Sequence, residues 1–272
     1  MSFRSRYFFD HLSITDRKWL IEQLSQASQM PSDDWRIWHL NANGSPIKMG
    51  WVPHDRLEQM SSGLADFRCI DGQWHWIVQD QSFDAISHDL QEWLRIQHDL
   101  LKMNEWRYEL QDFFISNLAD PHPTAENELP IFKVERGGFP HLGITSRAIH
   151  VNGFTDKGQI LVGKRSKNKS IDPGLFDNLM AGGMLTGETW KMCFERELLE
   201  EAGLDAKQWP SVSCLGSFLS QQAETECFRS EKLYVINLDL PGDVQPMNQD
   251  GEVQCFELFD PHETIERMRQ NQ

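Results

Sequence analysis

The chain has 272 residues, 39% apolar and 25% charged, which excludes disordered and collagen-like classes and leaves room for one large domain or two ordinary ones. Its 26 basic and 41 acidic side chains give a net charge of −15, so nucleic acid and bare anionic membrane surfaces are repelled over most of the exterior and are excluded as main partners. Five cysteines without a C-x-x-C pair argue against a disulfide framework or structural zinc, and no run reaches the ~20 apolar residues of a membrane helix.

The opening stretch MSFRSRYFFDHL meets an acidic residue before a signal-peptide core could build, so a cytoplasmic location is expected. Thr15 to Ser28 then reads as a helix, with Thr as its cap and Trp19, Leu20 and Leu24 on one stripe. Trp35 to Leu40, Asn41-Ala-Asn-Gly44 and Ile47 to Val52 read as strand, turn and strand, because Asn-Gly supplies the positive φ of a tight hairpin. Phe67 to Ile70, Asp71-Gly72 and Trp74 to Val78 repeat that grammar. Ser87 to Trp106 has Leu90, Trp93, Leu94, His98 and Leu101 at helical spacing. Eight of the ten tryptophans precede residue 125; core packing is their plainest role, and an aromatic wall for a flat ligand is the sharper one.

Asp120-Pro-His-Pro-Thr-Ala-Glu-Asn-Glu128 disfavours helix and offers little to bury, so the division expected is a tryptophan-rich α+β domain over 1–125 and a second domain over 126–272. Charge is shared evenly, −7 and −8, so neither half is a polyelectrolyte tail. Ala148 to Phe154 and Gln159 to Arg165 flank Thr155-Asp-Lys-Gly158 as a further hairpin. Leu215 to Ser220, Leu233 to Leu238 and Glu252 to Phe259 are strand candidates, and Pro261 to Arg269 a closing helix.

Between these elements lies the stretch that carries chemistry. Nothing from Thr189 to Ala202 breaks a helix; Thr189 can cap it, and Gly203 suits the left-handed residue that ends it. At 100° per residue, Glu200 and Glu201 fall about 60° and 40° to either side of Glu197, so three carboxylates share one face. On a dry face each close pair at ~6 Å repels by roughly 3 kcal/mol at an effective dielectric near 20, and the arrangement calls for a cation. Oxygen ligands favour a hard one, Mg²⁺ or Mn²⁺. A solvated acidic face is the bland alternative, but Trp190, Cys193, Phe194 and Leu204 share the side, and Gly182-Gly183 just upstream lets backbone approach an ion.

Gly182, five residues, Glu188, seven residues, then Arg196-Glu197-Leu198-Leu199-Glu200-Glu201-Ala202-Gly203-Leu204 resembles a complete Nudix box, a coincidence expected by chance roughly once in 10⁹ starts. The resemblance implies an α+β fold in which a Nudix α/β/α sandwich with a mixed sheet follows a smaller α+β N-terminal domain. It implies Mg²⁺- or Mn²⁺-dependent attack of water on a small-molecule diphosphate. By the same resemblance the Ala181 carbonyl, Glu200 and Glu201 are metal ligands and Glu197 is a ligand or the general base, with Arg196 orienting Glu197 and Glu188 pairing with Arg196. Glu252, in Asp250-Gly-Glu-Val253, is the second base candidate. A diphosphate also needs cations, and Lys164-Arg165-Ser-Lys167-Asn-Lys169 is the densest basic run; Arg165 and Lys164 are the expected phosphate holders, Lys167 and Lys169 solvated.

Further strings are similar to Nudix proteins with an extra N-terminal domain, related to thiamin pyrophosphokinase-associated members: Trp106-Arg-Tyr-Glu109, Glu135-Arg136, Gly143 to Phe154, Lys164-Arg-Ser166, Pro173 to Gly183 and Gln249 to Val253. That subgroup implies removal of phosphate from thiamin diphosphate or its oxidised analogues. Hydrolysis of nucleoside diphosphate derivatives such as ADP-ribose or NADH is the alternative, and a non-catalytic metabolite-binding module, against which every box glutamate stands, is the second. A homodimer is left open as an assembly. Cys193 is read as packing rather than as a nucleophile.

Overall fold

The computed structural model describes residues 3–26, 28–42, 45–80, 82–100, 106–115, 129–168 and 172–270. The Asn43-Gly44 turn, Lys169 and the expected joint at 120–128 lie outside the described residues.

The first half opens with helices α1 (Phe3–Asp10) and α2 (Ile14–Gln26), then strands β1 (Ser28–Gln29), β2 (Trp35–Ala42) and β3 (Ser45–Pro53). Helix α3 (His54–Gly63), strands β4 (Phe67–Ile70) and β5 (Gln73–Ile77) and helix α4 (Phe83–Gln97) follow. Strands β2 to β5 form a four-stranded sheet in the order β3-β2-β5-β4, its two expected hairpins antiparallel and β2 parallel to β5. Asp71 and Gly72 take φ of 49° and 79°, the conformation a two-residue hairpin turn needs.

Helix α2 starts one residue earlier than its sequence suggests, because Ser13 and not Thr15 caps it. Ser13 Oγ accepts the Asp16 N–H at 3.1 Å, and the Asp16 carboxylate accepts the Ser13 N–H at 3.3 Å and its hydroxyl at 2.6 Å, a reciprocal box that outcompetes a single threonine. Helix α4 is likewise displaced: Ser82 caps it through the Ala85 N–H at 3.3 Å, and it ends at Gln97, so Trp106 lies beyond it with its ring 4.8 Å from that of His98. Helix α1, absent from the expectations, docks on the second sheet, where the Phe8 ring lies 5.5 Å from that of Phe154.

The tryptophans are core. Trp38, Trp76 and Trp93 are buried; the Trp38 and Trp76 indoles donate to the carbonyls of Leu142 at 2.8 Å and Ala65 at 3.0 Å. Their cluster also takes Phe132, Val134, Phe139, Leu142 and Ile144, from strand β7 (Phe132–Glu135), which pairs with β6 (Leu110–Phe113), from helix α5 (Gly138–Leu142) and from the residues that follow it. Packing therefore runs across residue 125 in the chain.

The second sheet has eight strands. Strands β8 (Thr145–Phe154), β9 (Ile160–Arg165), β10 (Phe176–Asp177) and β11 (Met180–Gly183) precede helix α6 (Trp190–Ala202); β12 (Cys214–Ala223), β13 (Phe228–Asp239), β14 (Val253–Phe259) and helix α7 (Pro261–Arg269) come after it. Its main path is β1-β12-β13-β8-β9-β10, with β11 on β8 and β14 on β9; β13–β8 and β1–β12 are parallel and the other pairs antiparallel. Helix α6 covers one face through Cys193, Phe194, Leu198 and Ala202, while α1, α2 and α7 cover the other, giving the α/β/α layering. No helix among the described residues is long and apolar enough to cross a membrane.

Where α5 meets α3, the His141 Nδ1 lies 3.2 Å from the guanidinium of Arg56, itself buried. Burial, reinforced by Arg56, pushes the His141 imidazole from 6.5 down to about 4. The unfolded chain then binds a proton between those values that the folded chain refuses, so the contribution is complete above pH 6.5 and disappears as pH falls through 4, amounting to about 3 kcal/mol at most. Urea midpoints for His141→Gln are expected to fall less than those of the wild-type chain between pH 7 and pH 4; parallel losses would place the acid-labile group elsewhere.

Candidate active site

Helix α6 is opened by Thr189, whose Oγ1 accepts the Met192 N–H at 3.3 Å, and closed by Gly203 at φ 65°. Its apolar residues sink into the sheet and carry Glu197 and Glu201 down with them, to 9% and 7% exposure. These two are one turn apart and meet β11, where the Ala181 N–H donates to Glu201 Oε2 at 3.1 Å. Gly182 makes room for the other: a Cβ there would stand 2.0 Å from Glu197 Oε1.

Arg196 holds this corner together. Its Nε and Nη2 reach the two Glu188 oxygens at 2.7 and 2.9 Å, and Nη2 also reaches the Gly183 carbonyl at 3.0 Å. Its Nη1 reaches Glu197 Oε1 at 2.7 Å and Glu200 at 3.2 Å. Loop, helix start and inner carboxylate are thus joined by one planar fork. Burial pushes the Glu197 carboxyl up to about 7, against the opposing pull of Arg196. Burial likewise raises the Cys193 thiol, which packs against the Gly182 and Gly183 carbonyls and is not available as a thiolate.

The third carboxylate of the face behaves differently. Glu200 is half-exposed, its side chain 48% accessible, and faces Arg196 rather than Glu201. Other acidic groups take its place beside Glu201, because the loop before β14 binds the end of α6: the Met247 N–H donates to the Ala202 carbonyl at 2.8 Å and the Gln249 N–H to Glu200 O at 3.0 Å. Gly203 permits that approach, since a Cβ would come 2.6 Å from Met247 O. Asp250 and Glu252 are thereby delivered to Glu201, with one oxygen of each within 4.8 Å of the others. This all-carboxylate donor set fits a hard divalent cation such as Mg²⁺ or Mn²⁺. Asp250 was visible only as a neighbour of Glu252 in the sequence; its place beside Glu201 depends on the loop.

Glu197 and Glu252 open on a cleft of about 570 Å³, within the range of small-molecule sites. Ala181, Gly182, Gly183, Glu197 and Glu252 line it, and so does Arg165, ion-paired to Asp177 at 2.8 Å. Lys164 does not: alternation along β9 turns it to the opposite face, where its ammonium sits 5.1 Å above the Phe176 ring. Lys167 is exposed, as expected for a solvated tip. Five of the chain's fifteen arginines, Arg107, Arg136, Arg147, Arg165 and Arg229, line the cleft with no lysine among the described residues, although the protein as a whole is strongly acidic. Four of them escape a reading of basic runs because they are scattered singly through the sequence. Among the described residues no tryptophan lines the cleft; Phe139 and Phe176 do, the Phe176 ring itself packing on the far side of the sheet. A separate cavity of about 590 Å³ on the outer side of α6 touches none of the inner carboxylates.

The NUDIX domain family model matches residues 145–272. Nudix hydrolase 20, chloroplastic, of Arabidopsis thaliana is 35% identical over 148 residues, which cover 53% of this chain and 40% of that protein, so the match spans less than half of the relative. A Nudix hydrolase of a Nostoc species, itself uncharacterised, is 30% identical over 159 residues, covering 58% of this chain and 86% of the relative. A Deinococcus radiodurans crystal structure superposes with a TM-score of 0.44 at 20% identity, covering 60% of this chain and 91% of that one.

Proposed function

This chain belongs to the Nudix hydrolase family, and on that premise we propose that it hydrolyses a diphosphate bond with Mg²⁺ or Mn²⁺, its substrate being thiamin diphosphate or an oxidised analogue, cleaved to the monophosphate and phosphate. The observation that carries the hydrolysis is one cleft lined by Glu197, Glu252 and five arginines, with Glu201 and Asp250 grouped on Glu252 at ion-binding distance.

Glu201, Asp250 and Glu252 would hold the ion, which when bound neutralises phosphate oxygens and acidifies water. Glu197, shielded by burial and oriented by Arg196, is suited to receive the proton of the attacking water. Glu252 is the other candidate for that task, fixed by Arg107 at 3.1 Å. Arginine of the cleft supplies paired N–H donors to the phosphates.

The thiamin substrate is supported by the strings flanking the box, and the cleft volume is adequate for it. Purified protein with Mg²⁺ is to be given oxythiamin diphosphate, thiamin diphosphate, ADP-ribose and NADH, with products identified. Phosphate release from the thiamin compounds is expected. Cleavage confined to the nucleotides would replace the substrate, and no cleavage of any would overturn the hydrolytic assignment.

A further inference from the structure

The arginines of the cleft are not equivalent. Arg107, Arg165 and Arg229 each pair with a carboxylate that itself lines the cleft, Glu252 at 3.1 Å, Asp177 at 2.8 Å and Glu224 at 3.1 Å, while Arg147 stacks on Phe114 with 3.7 Å to the ring centre. Arg136 is anchored from behind. Its Nη1 reaches Glu109 at 3.0 Å and its backbone N–H donates to Glu109 O at 2.8 Å, and Glu109 is not among the lining residues.

That double tie positions the guanidinium over the glycine loop, with Cζ and Nε 3.6 Å from where a Gly183 Cβ would be. Burial works against its charge, and the carboxylates of Glu109, Glu197 and Glu231 outweigh it. Beside it Gln111 of β6 lines the cleft at 2% exposure, and its Oε1 has no hydrogen-bond partner among the described residues. That oxygen is an acceptor, so it can take a hydroxyl or amine donor of a ligand but no phosphate oxygen, and the phosphate falls to Arg136.

We infer that Arg136 binds the non-bridging oxygens of the diphosphate beside Glu197 and the glycine loop, and so that residues ahead of the family-matched stretch complete the substrate site. The inference rests on the proposed diphosphate chemistry. A guanidinium suits the role because its planar donors engage two phosphate oxygens together, and because its own carboxylate partner does not compete for the ligand's place.

The test uses the full chain with Mg²⁺ and methylenediphosphonate, whose P–C–P bridge resists hydrolysis, by calorimetric titration. Arg136→Ala is expected to weaken diphosphonate binding about 30-fold and Arg136→Lys about tenfold, with Mg²⁺ affinity within about threefold of the parent. In turnover the loss is expected chiefly in KM. Should the alanine variant fail to fold, the lysine variant decides. Diphosphonate affinity within threefold of the parent in folded variants overturns the role of Arg136, as does a parent chain that hydrolyses its substrate but does not bind the diphosphonate. Arg136-dependent binding without any hydrolysis overturns the activity and upholds the subsite.

Discussion

Replacing Glu201 with Gln is expected to lower kcat about a thousandfold while leaving the metal-free fold at least as stable as the parent. The carboxylate is nearly buried and shares its surroundings with Asp250 and Glu252 at ion-binding distance. Removing its charge lowers the attraction for a divalent cation, and about 4 kcal/mol of lost transition-state stabilisation corresponds to that rate. The glutamine oxygen can still accept the Ala181 N–H, so the contact that positions the side chain survives. In the absence of an ion, one member fewer in a cluster of like charges relieves repulsion. Opposite signs on activity and on metal-free stability therefore mark a ligand; a purely structural carboxylate would lower both. Steady-state rates, Mg²⁺ titration and thermal melts in chelator supply the three readings, and a variant within threefold of parental kcat would remove Glu201 from the metal site.

Arg196→Ala is expected to cost about 3–5 kcal/mol of stability, a fall in Tm of roughly 6–15 °C, and to abolish most activity. The residue that disappears is the common partner of Glu188, Glu197, Glu200 and the Gly183 carbonyl. Glu188 and Glu197 would remain largely shielded from water, with side-chain exposures of 12% and 11%, and without their cation. Arg196→Lys is expected to recover only part, because an ammonium cannot span both Glu188 oxygens and Glu197 at once. Combining Arg196→Ala with Glu188→Gln should be much less damaging than the sum of the two changes, which a double-mutant cycle in urea reads directly. Additive losses, or an unchanged Tm, would show that the fork is ornamental to the fold.

Much of this was legible in the chain. The hairpins at residues 35–52, 67–77 and 148–165 follow from alternation and turn residues, and α6 from its cap, its unbroken interior and Gly203. The Glu188–Arg196 bridge was readable because both partners belong to one compact motif. The start of α2 was missed by one residue because Thr15, two places after the true cap, has the same chemistry, and only the Ser13–Asp16 reciprocity distinguishes them.

What the sequence determined alone was local: turns, caps, and the spacing that puts Glu197 and Glu201 on one stripe with the apolar residues of α6. Which acidic group joins Glu201 was a tertiary decision, made when the loop of Met247 and Gln249 satisfied the open carbonyls of the helix end and brought Asp250 and Glu252 with it. The arginine wall was tertiary too, since Arg107, Arg136, Arg147, Arg165 and Arg229 converge from separate elements and no pattern along the chain links them. Side-chain periodicity reports a neighbour three or four residues away, whereas the burial that raises Glu197 and the field that holds Arg136 are sums over groups far apart in the chain, and those exist only once the sheet has closed.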